Sequence, residues 1–124
     1  MEKLTAVEEE AMLIVWRLGG GVTKDFLNEY PEPKPPYTTL ASVMKNLERK
    51  GFLQTKRYGP TYYYSPLIDE QEYKRSSLSG FVKRYFADSY KSMISFFVKD
   101  DNISTEELKE ILSHIEAEQE NNTH

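Results

Sequence analysis

The stretch PYTTLASVMKNLERKGFL, residues 36–53, predicts an amphipathic helix, a glycine stop and the start of a strand, in that order. Four apolar residues recur at the i, i+3, i+4, i+7 spacing of one helical face: Leu40, Val43, Met44 and Leu47. We expect Thr38 to cap the start of this helix and Gly51 to end it in a left-handed conformation. A helix that runs directly into a strand is typical of the recognition helix and wing of a winged helix-turn-helix.

The opposite face of this helix carries hydroxyl, amide and cationic side chains: Thr38, Thr39, Ser42, Lys45, Asn46 and Arg49. Hydroxyl and amide groups hydrogen-bond to base edges, while Lys and Arg bind phosphates. We predict that the first five face the major groove of double-stranded DNA. Arg49 is predicted to bind a phosphate instead, and no acid is expected on this face.

A β-hairpin is predicted after Gly51, with strands at residues 52–57 and 62–65 and a turn at residues 58–61, whose sequence is YGPT. Lys56 and Arg57 lie near the tip of this hairpin, where a wing would meet the phosphate backbone. Tyr62 and Tyr64 share one face of the return strand, and we expect both to pack on the helices.

Two further helices are predicted before the recognition helix. Thr5 and Glu8 form a capping box that begins the first helix, which runs to about Leu18 and is ended by three glycines. The second is expected at residues 24–30 with Thr23 as its cap. Four prolines within residues 31–36 then exclude helix.

Beyond Asp69 apolar residues again recur at helical spacing, which predicts two amphipathic helices. A single chain offers little surface to cover them, so we expect a homodimer. The predicted dimerisation residues are Phe81, Tyr85, Met93, Phe97, Leu108, Ile111, Leu112 and Ile115. The expected fold is therefore mainly α (α+β), with a winged-helix head at residues 1–68, dimerisation helices at 69–117 and a disordered tail at 118–124.

The net charge of −4 is unevenly distributed along the 124 residues. Residues 1–65 hold nine Lys or Arg and eight Asp or Glu, whereas residues 99–124 hold two and eight. The head is only weakly positive, so general attraction to phosphates should be modest. Base contacts and dimerisation would then supply much of the affinity for DNA.

Composition excludes several classes of function. The chain has no cysteine and only two histidines, so thiolate metal sites, disulfides and cysteine nucleophiles are excluded and we expect no cofactor, no metal site and no catalytic residue. No apolar run approaches the ~20 residues of a membrane span, and no secretory signal begins the chain. A soluble, cytoplasmic protein that is not an enzyme and does not insert into membranes is predicted.

Four motifs together resemble the BlaI/MecI/CopY group of bacterial transcriptional repressors, the penicillinase-repressor family. They are the opening helix around Glu10, Met12 and Trp16; the recognition helix with its exit Lys50-Gly51-Phe52-Leu53; the wing with Gly59, Tyr62, Tyr64 and Pro66; and the acidic segment from Asp100 to Leu108. The resemblance covers about residues 4–115.

The resemblance implies a winged-helix domain and a dimerisation domain that repress transcription at a palindromic operator. In the antibiotic-responsive branch of the family, a membrane sensor protease pathway leads to cleavage of the repressor. The corresponding bond in this chain lies at Phe96–Phe97, with Phe96 where the family has Asn. The copper-sensing branch uses a C-terminal cysteine site, which this chain lacks.

Two other functions remain open at the level of sequence. A winged-helix module for protein–protein contact would suit the weakly charged head and the acidic C-terminal segment. A regulator that binds a small molecule against the aromatic-rich region between Phe81 and Phe97 is the second. Salt-dependent binding to duplex DNA separates the first alternative from a repressor.

Overall fold

The computed structural model describes residues 1–122 and is mainly helical, with a two-stranded hairpin after the third helix. Its elements are α1 (Ala6–Leu18), α2 (Thr23–Asn28), α3 (Tyr37–Arg49), β1 (Leu53–Tyr58), β2 (Thr61–Pro66), α4 (Glu70–Phe86), α5 (Tyr90–Lys99) and α6 (Thr105–Asn122). This order confirms the winged helix-turn-helix prediction and its additional C-terminal helices. The chain divides into two compact units, Met1–Lys74 and a second that begins at Arg75.

The first unit begins with the predicted capping box. The Thr5 hydroxyl accepts the Glu8 backbone N–H at 3.2 Å, and the Glu8 carboxylate accepts the Thr5 N–H at 2.9 Å. Gly19 ends α1 at a φ of 85°, in the left-handed region where glycine carries no Cβ penalty.

The predicted cap of α2 was wrong. Thr23 lies inside the helix, and the extended residue Val22 occupies the N-cap position. Asp25 lies three residues further on, so its carboxylate reaches back to accept the Val22 N–H at 3.0 Å. The helix also ends at Asn28 rather than Tyr30.

The predicted cap of α3 was also wrong, because the helix begins one residue before Thr38. Pro36 is the N-cap, with the extended backbone (φ −61°, ψ 146°) that a cap requires, and its carbonyl accepts the N–H groups of Thr39 and Leu40. The predicted stop is confirmed: α3 ends at Arg49, and Gly51 follows at a φ of 84°.

The hairpin pairs antiparallel, with Leu53 opposite Pro66 and Tyr58 opposite Thr61. A bridge extends it, since Gly21 and Tyr64 exchange backbone hydrogen bonds of 2.9 and 2.7 Å. A Cβ on Gly20 would lie 2.9 Å from the Tyr64 carbonyl oxygen. Glycine is therefore needed at position 20 for the loop after α1 to approach β2.

Only one of the two hairpin tyrosines packs as expected. Tyr64 is buried, but Tyr62 is 47% exposed, which corrects the prediction for that residue. Tyr62 pairs with Arg57 one step from the end of the hairpin, where its ring stays largely in solvent, whereas Tyr64 pairs nearer the base of the hairpin.

One core joins α1, α2, α3 and the hairpin, and its fully buried side chains include Met12, Phe26, Leu40, Met44 and Phe52. Tyr73 adds to this core: its ring lies 5.3 Å from that of Trp16 and 5.8 Å from that of Phe52, measured between centroids. These contacts place the first turn of α4 in the first unit, so that this unit extends to Lys74, beyond residue 68.

Among the described residues the second unit contains most of α4 together with α5 and α6, where the sequence predicted two helices. Ala87 and Asp88 adopt left-handed φ values of 50° and 64° and separate α4 from α5 in the middle of the aromatic-rich stretch. Ser104 and Glu107 form the reciprocal bonds of a second capping box at the start of α6.

The last helix is longer than expected. It continues to Asn122 because residues 116–120, of sequence EAEQE, are good helix formers with no glycine or proline. The disordered tail predicted from residue 118 is thus helical to residue 122, and the rest of it lies outside the described residues. None of the helices within residues 1–122 is both long and apolar enough to cross a membrane.

Candidate nucleic-acid interface

Helix α3 buries one face and exposes the other. Leu40, Met44 and Leu47 are buried in the core, as their spacing predicts. The predicted DNA-facing side chains of α3 are all exposed: Thr38, Thr39, Ser42, Lys45, Asn46 and Arg49. The Ser42 hydroxyl donates to the Thr38 carbonyl at 3.2 Å, which still leaves its oxygen able to accept.

The hairpin presents its two cations on aromatic rings. The Lys56 ammonium lies 5.5 Å from the centroid of the Tyr58 ring, and the Arg57 guanidinium lies 5.6 Å from that of Tyr62. The Arg57 Nε also donates to the Gly59 carbonyl at 2.8 Å. These contacts hold both charges at the exposed end of the hairpin, where a wing would meet phosphates.

A cleft of about 420 Å³ separates α3 from the inner face of the hairpin. Its walls are formed by Lys45, Glu48, Thr55, Arg57, Tyr62 and Tyr64. Burial, reinforced by the nearby Glu48 carboxylate, raises the pKa of the Tyr64 phenol above its ordinary value. The cleft thus has hydrogen-bond donors, two cations and one acid.

Four of these cleft residues were not among the predicted site residues: Glu48, Thr55, Tyr62 and Tyr64. Glu48 contradicts the expectation that no acid lies beside the DNA-facing residues. The sequence does indicate that Glu48 lies close to Lys45, because residues three positions apart are neighbours on the surface of a helix. Thr55 and Tyr62 share a strand face with Arg57, but only the observed register brings that face opposite α3.

Lys50, the remaining cation at the end of α3, is occupied elsewhere. Its ammonium lies 2.5 Å from the Glu8 carboxylate and donates to the Lys3 carbonyl at 3.1 Å. Burial of Glu8 opposes its ionisation, but hydrogen bonds from Lys50 and Thr5 outweigh that cost and lower the pKa of its carboxyl. This pair ties α3 to the start of α1 instead of binding phosphate.

The predicted dimerisation residues lie in the second unit. Five of them are exposed in the single chain, namely Phe81, Tyr85, Ile111, Leu112 and Ile115, and the other three are half-buried: Met93, Phe97 and Leu108. So many exposed large apolar side chains are unusual for a surface that contacts only water. Burial of these eight residues in a dimer stays a prediction.

Within residues 1–122, no group of three or more His, Asp or Glu side chains is placed to hold a metal ion. The arrangement of the first unit is instead suited to an extended anion: a helix face with hydrogen-bonding groups, and a neighbouring hairpin that carries two cations.

Comparison with known proteins finds a consistent set of relatives. A family model described as penicillinase repressor matches residues 4–117. The penicillinase repressor of Bacillus licheniformis is 26% identical over 119 residues, which cover 92% of this chain and 90% of that protein. The methicillin resistance regulatory protein MecI of Staphylococcus aureus (strain N315) is 22% identical over 110 residues, 88% of this chain and 89% of the other.

Among solved structures, a chain from the complex structure of hsRosR-S4 is similar in fold, with a TM-score of 0.54. The similarity covers 82% of this chain and 91% of that one, at 16% sequence identity. At this identity the likeness supports the fold alone.

Proposed function

The chain belongs to the penicillinase repressor family of non-enzymatic, DNA-binding transcription regulators, and from this premise we propose that it represses transcription by occupying a palindromic operator as a homodimer. In this proposal α3 enters the major groove and the hairpin binds the phosphate backbone beside it. The observation that carries it is the exposed polar face of α3 next to the cationic tip of the hairpin.

The exposed apolar side chains of the C-terminal helices support the homodimer part of this proposal. The apolar side of α6 would be buried against a second copy, and two-fold symmetry would then place two α3 helices on one side of the DNA. A palindrome with half-sites about one helical turn apart suits that arrangement.

Release of the operator is proposed to follow proteolysis at Phe96–Phe97, at the end of a membrane sensor protease pathway. Phe96 is 54% exposed but lies within α5, so a protease would need α5 to unwind locally before cleavage. Cleavage there would separate α6 from the rest of the chain and remove part of the dimer surface.

Asn46→Ala is expected to relax the choice of operator. An amide that binds adenine through two hydrogen bonds contributes about 1–3 kcal/mol of discrimination at that base pair. Competition binding with single-base operator variants would show one position at which the preference disappears. Non-specific binding should change little, because Asn46 carries no charge.

Asn46→Gln is the matched control, since it keeps the amide but lengthens the side chain. An unchanged preference at every base pair in both variants would contradict the placement of α3 in the groove.

Arg57→Ala is expected to weaken binding to all duplexes alike and to reduce the slope of log affinity against log salt by about 1. The reason is the loss of one phosphate contact from the wing. Fluorescence anisotropy at four or more salt concentrations measures the slope, and Arg57→Lys should retain it because the charge is kept. A wild-type slope in Arg57→Ala would show that this guanidinium does not touch DNA.

A further inference from the structure

One of the residues that line the cleft between α3 and the hairpin has a buried polar group without a partner within residues 1–122. The Thr55 hydroxyl is buried and has no hydrogen-bond partner among the described residues. Buried hydroxyls are nearly always paired, since leaving one unpaired costs free energy. The unpaired Thr55 hydroxyl therefore indicates that a ligand supplies its hydrogen-bond partner when it binds at this site.

The charges around the cleft favour an anion. Lys45 and Arg57 contribute two positive charges, against one negative charge from Glu48. The Arg57 Nε is held by the Gly59 carbonyl, while its terminal nitrogens have no hydrogen-bond partner within residues 1–122. The Arg57 guanidinium also lies over the ring of Tyr62, and both side chains line the cleft.

We propose that this cleft seats one backbone phosphate of the operator, with Thr55 and Tyr62 as donors to it beside Lys45 and Arg57. The proposal rests on the proposed function, in which α3 lies in the major groove and the hairpin lies beside it. The DNA backbone that borders the groove must then pass between α3 and the hairpin, where the cleft is. A 120° rotation about the Cα–Cβ bond of Thr55 moves its hydroxyl to the position of another Cβ substituent, and the proposal requires the rotamer that turns this hydroxyl toward the cleft. The Glu48 carboxylate limits the affinity of the cleft for the phosphate, because the two negative charges repel each other.

Thr55→Val separates this role from a structural one. Valine keeps the shape and removes the unpaired hydroxyl, so the melting temperature should stay the same or rise. Binding to the duplex upstream of the chain's own gene should instead weaken about tenfold, as expected for one hydrogen bond to a charged group. Tyr62→Phe should weaken binding similarly, and Glu48→Gln should strengthen it.

A duplex with single neutral methylphosphonates then locates the phosphate. At one position per half-site, the methylphosphonate should weaken DNA binding by the wild-type protein. The same methylphosphonate should not weaken binding by Thr55→Val any further. Wild-type affinity in both Thr55→Val and Tyr62→Phe would overturn the assignment, and so would weaker binding in Glu48→Gln.

Failure of this inference is distinct from failure of the proposed function. A wild-type protein that binds the duplex, together with variants that bind equally well, removes the phosphate seat and leaves the repressor intact. Thermal stabilisation by inorganic phosphate that depends on Thr55, with no effect of Thr55→Val on duplex binding, would assign the cleft to a free phosphate and overturn the backbone assignment.

Discussion

Leu112→Asp is expected to convert the proposed dimer into monomers and to weaken operator binding by about 100-fold or more. Leu112 is 56% exposed in the single chain and lies on the same side of α6 as Leu108, Ile111 and Ile115. Burial of an unpaired carboxylate in a dimer interface is strongly unfavourable. A monomer binds only one half-site, so it loses the increase in affinity that comes from two linked binding events. This increase is of the order of 10²–10⁴.

Sedimentation equilibrium measures the mass of the variant, and anisotropy measures its affinity for the palindrome and for a single half-site. Leu112→Met is the control, since it conserves volume and should remain dimeric. The affinity for a half-site should be unchanged in Leu112→Asp. A Leu112→Asp protein that still sediments as a dimer would show that this side of α6 is not the interface.

Lys50→Met is expected to lower the free energy of unfolding by about 3 kcal/mol, because it leaves the Glu8 carboxylate buried without its partner. The Lys50 and Glu8 side chains are only 13% and 6% exposed, so water can compensate little. We place the effect at the lower end of the range for buried pairs since Lys50 keeps some exposure. Urea denaturation of wild type and variant at pH 7 measures the difference.

The effect should depend on pH. The pKa of Glu8 is lowered in the folded protein, so its contribution to stability is present above the pKa of the unfolded chain and is lost as pH falls through the folded value. The difference between wild type and Lys50→Met should therefore shrink on acidification, because a protonated Glu8 no longer needs the ammonium. Glu8→Gln combined with Lys50→Met should recover most of the stability, as glutamine keeps the capping box. Equal losses in the single and double variants would contradict this account.

Local chemistry explains what could be predicted from the sequence. The stop of α3 follows from Gly51, the start of α1 from Thr5 and Glu8, and the hairpin from its Gly59-Pro60 turn. Each depends on residues a few positions apart. The exposed face of α3 follows from the apolar spacing in the same way.

The remaining features depend on long-range contacts, for which sequence spacing gives no measure. The Lys50–Glu8 pair joins residues 42 positions apart, and the bridge between Gly21 and Tyr64 brings the glycine loop onto the hairpin. The cleft with Thr55 needs both the strand register and the packing of the hairpin against α3. The break at Ala87 and Asp88 was missed because neither residue is a glycine.

The most direct test is a salt series of binding to the DNA upstream of the chain's own gene, measured by fluorescence anisotropy with the purified protein. We expect a steep loss of affinity with salt and a clear preference for an intact palindrome over a single half-site. Absence of binding at low salt by a correctly folded dimer would contradict the repressor account and favour a winged-helix module that contacts proteins.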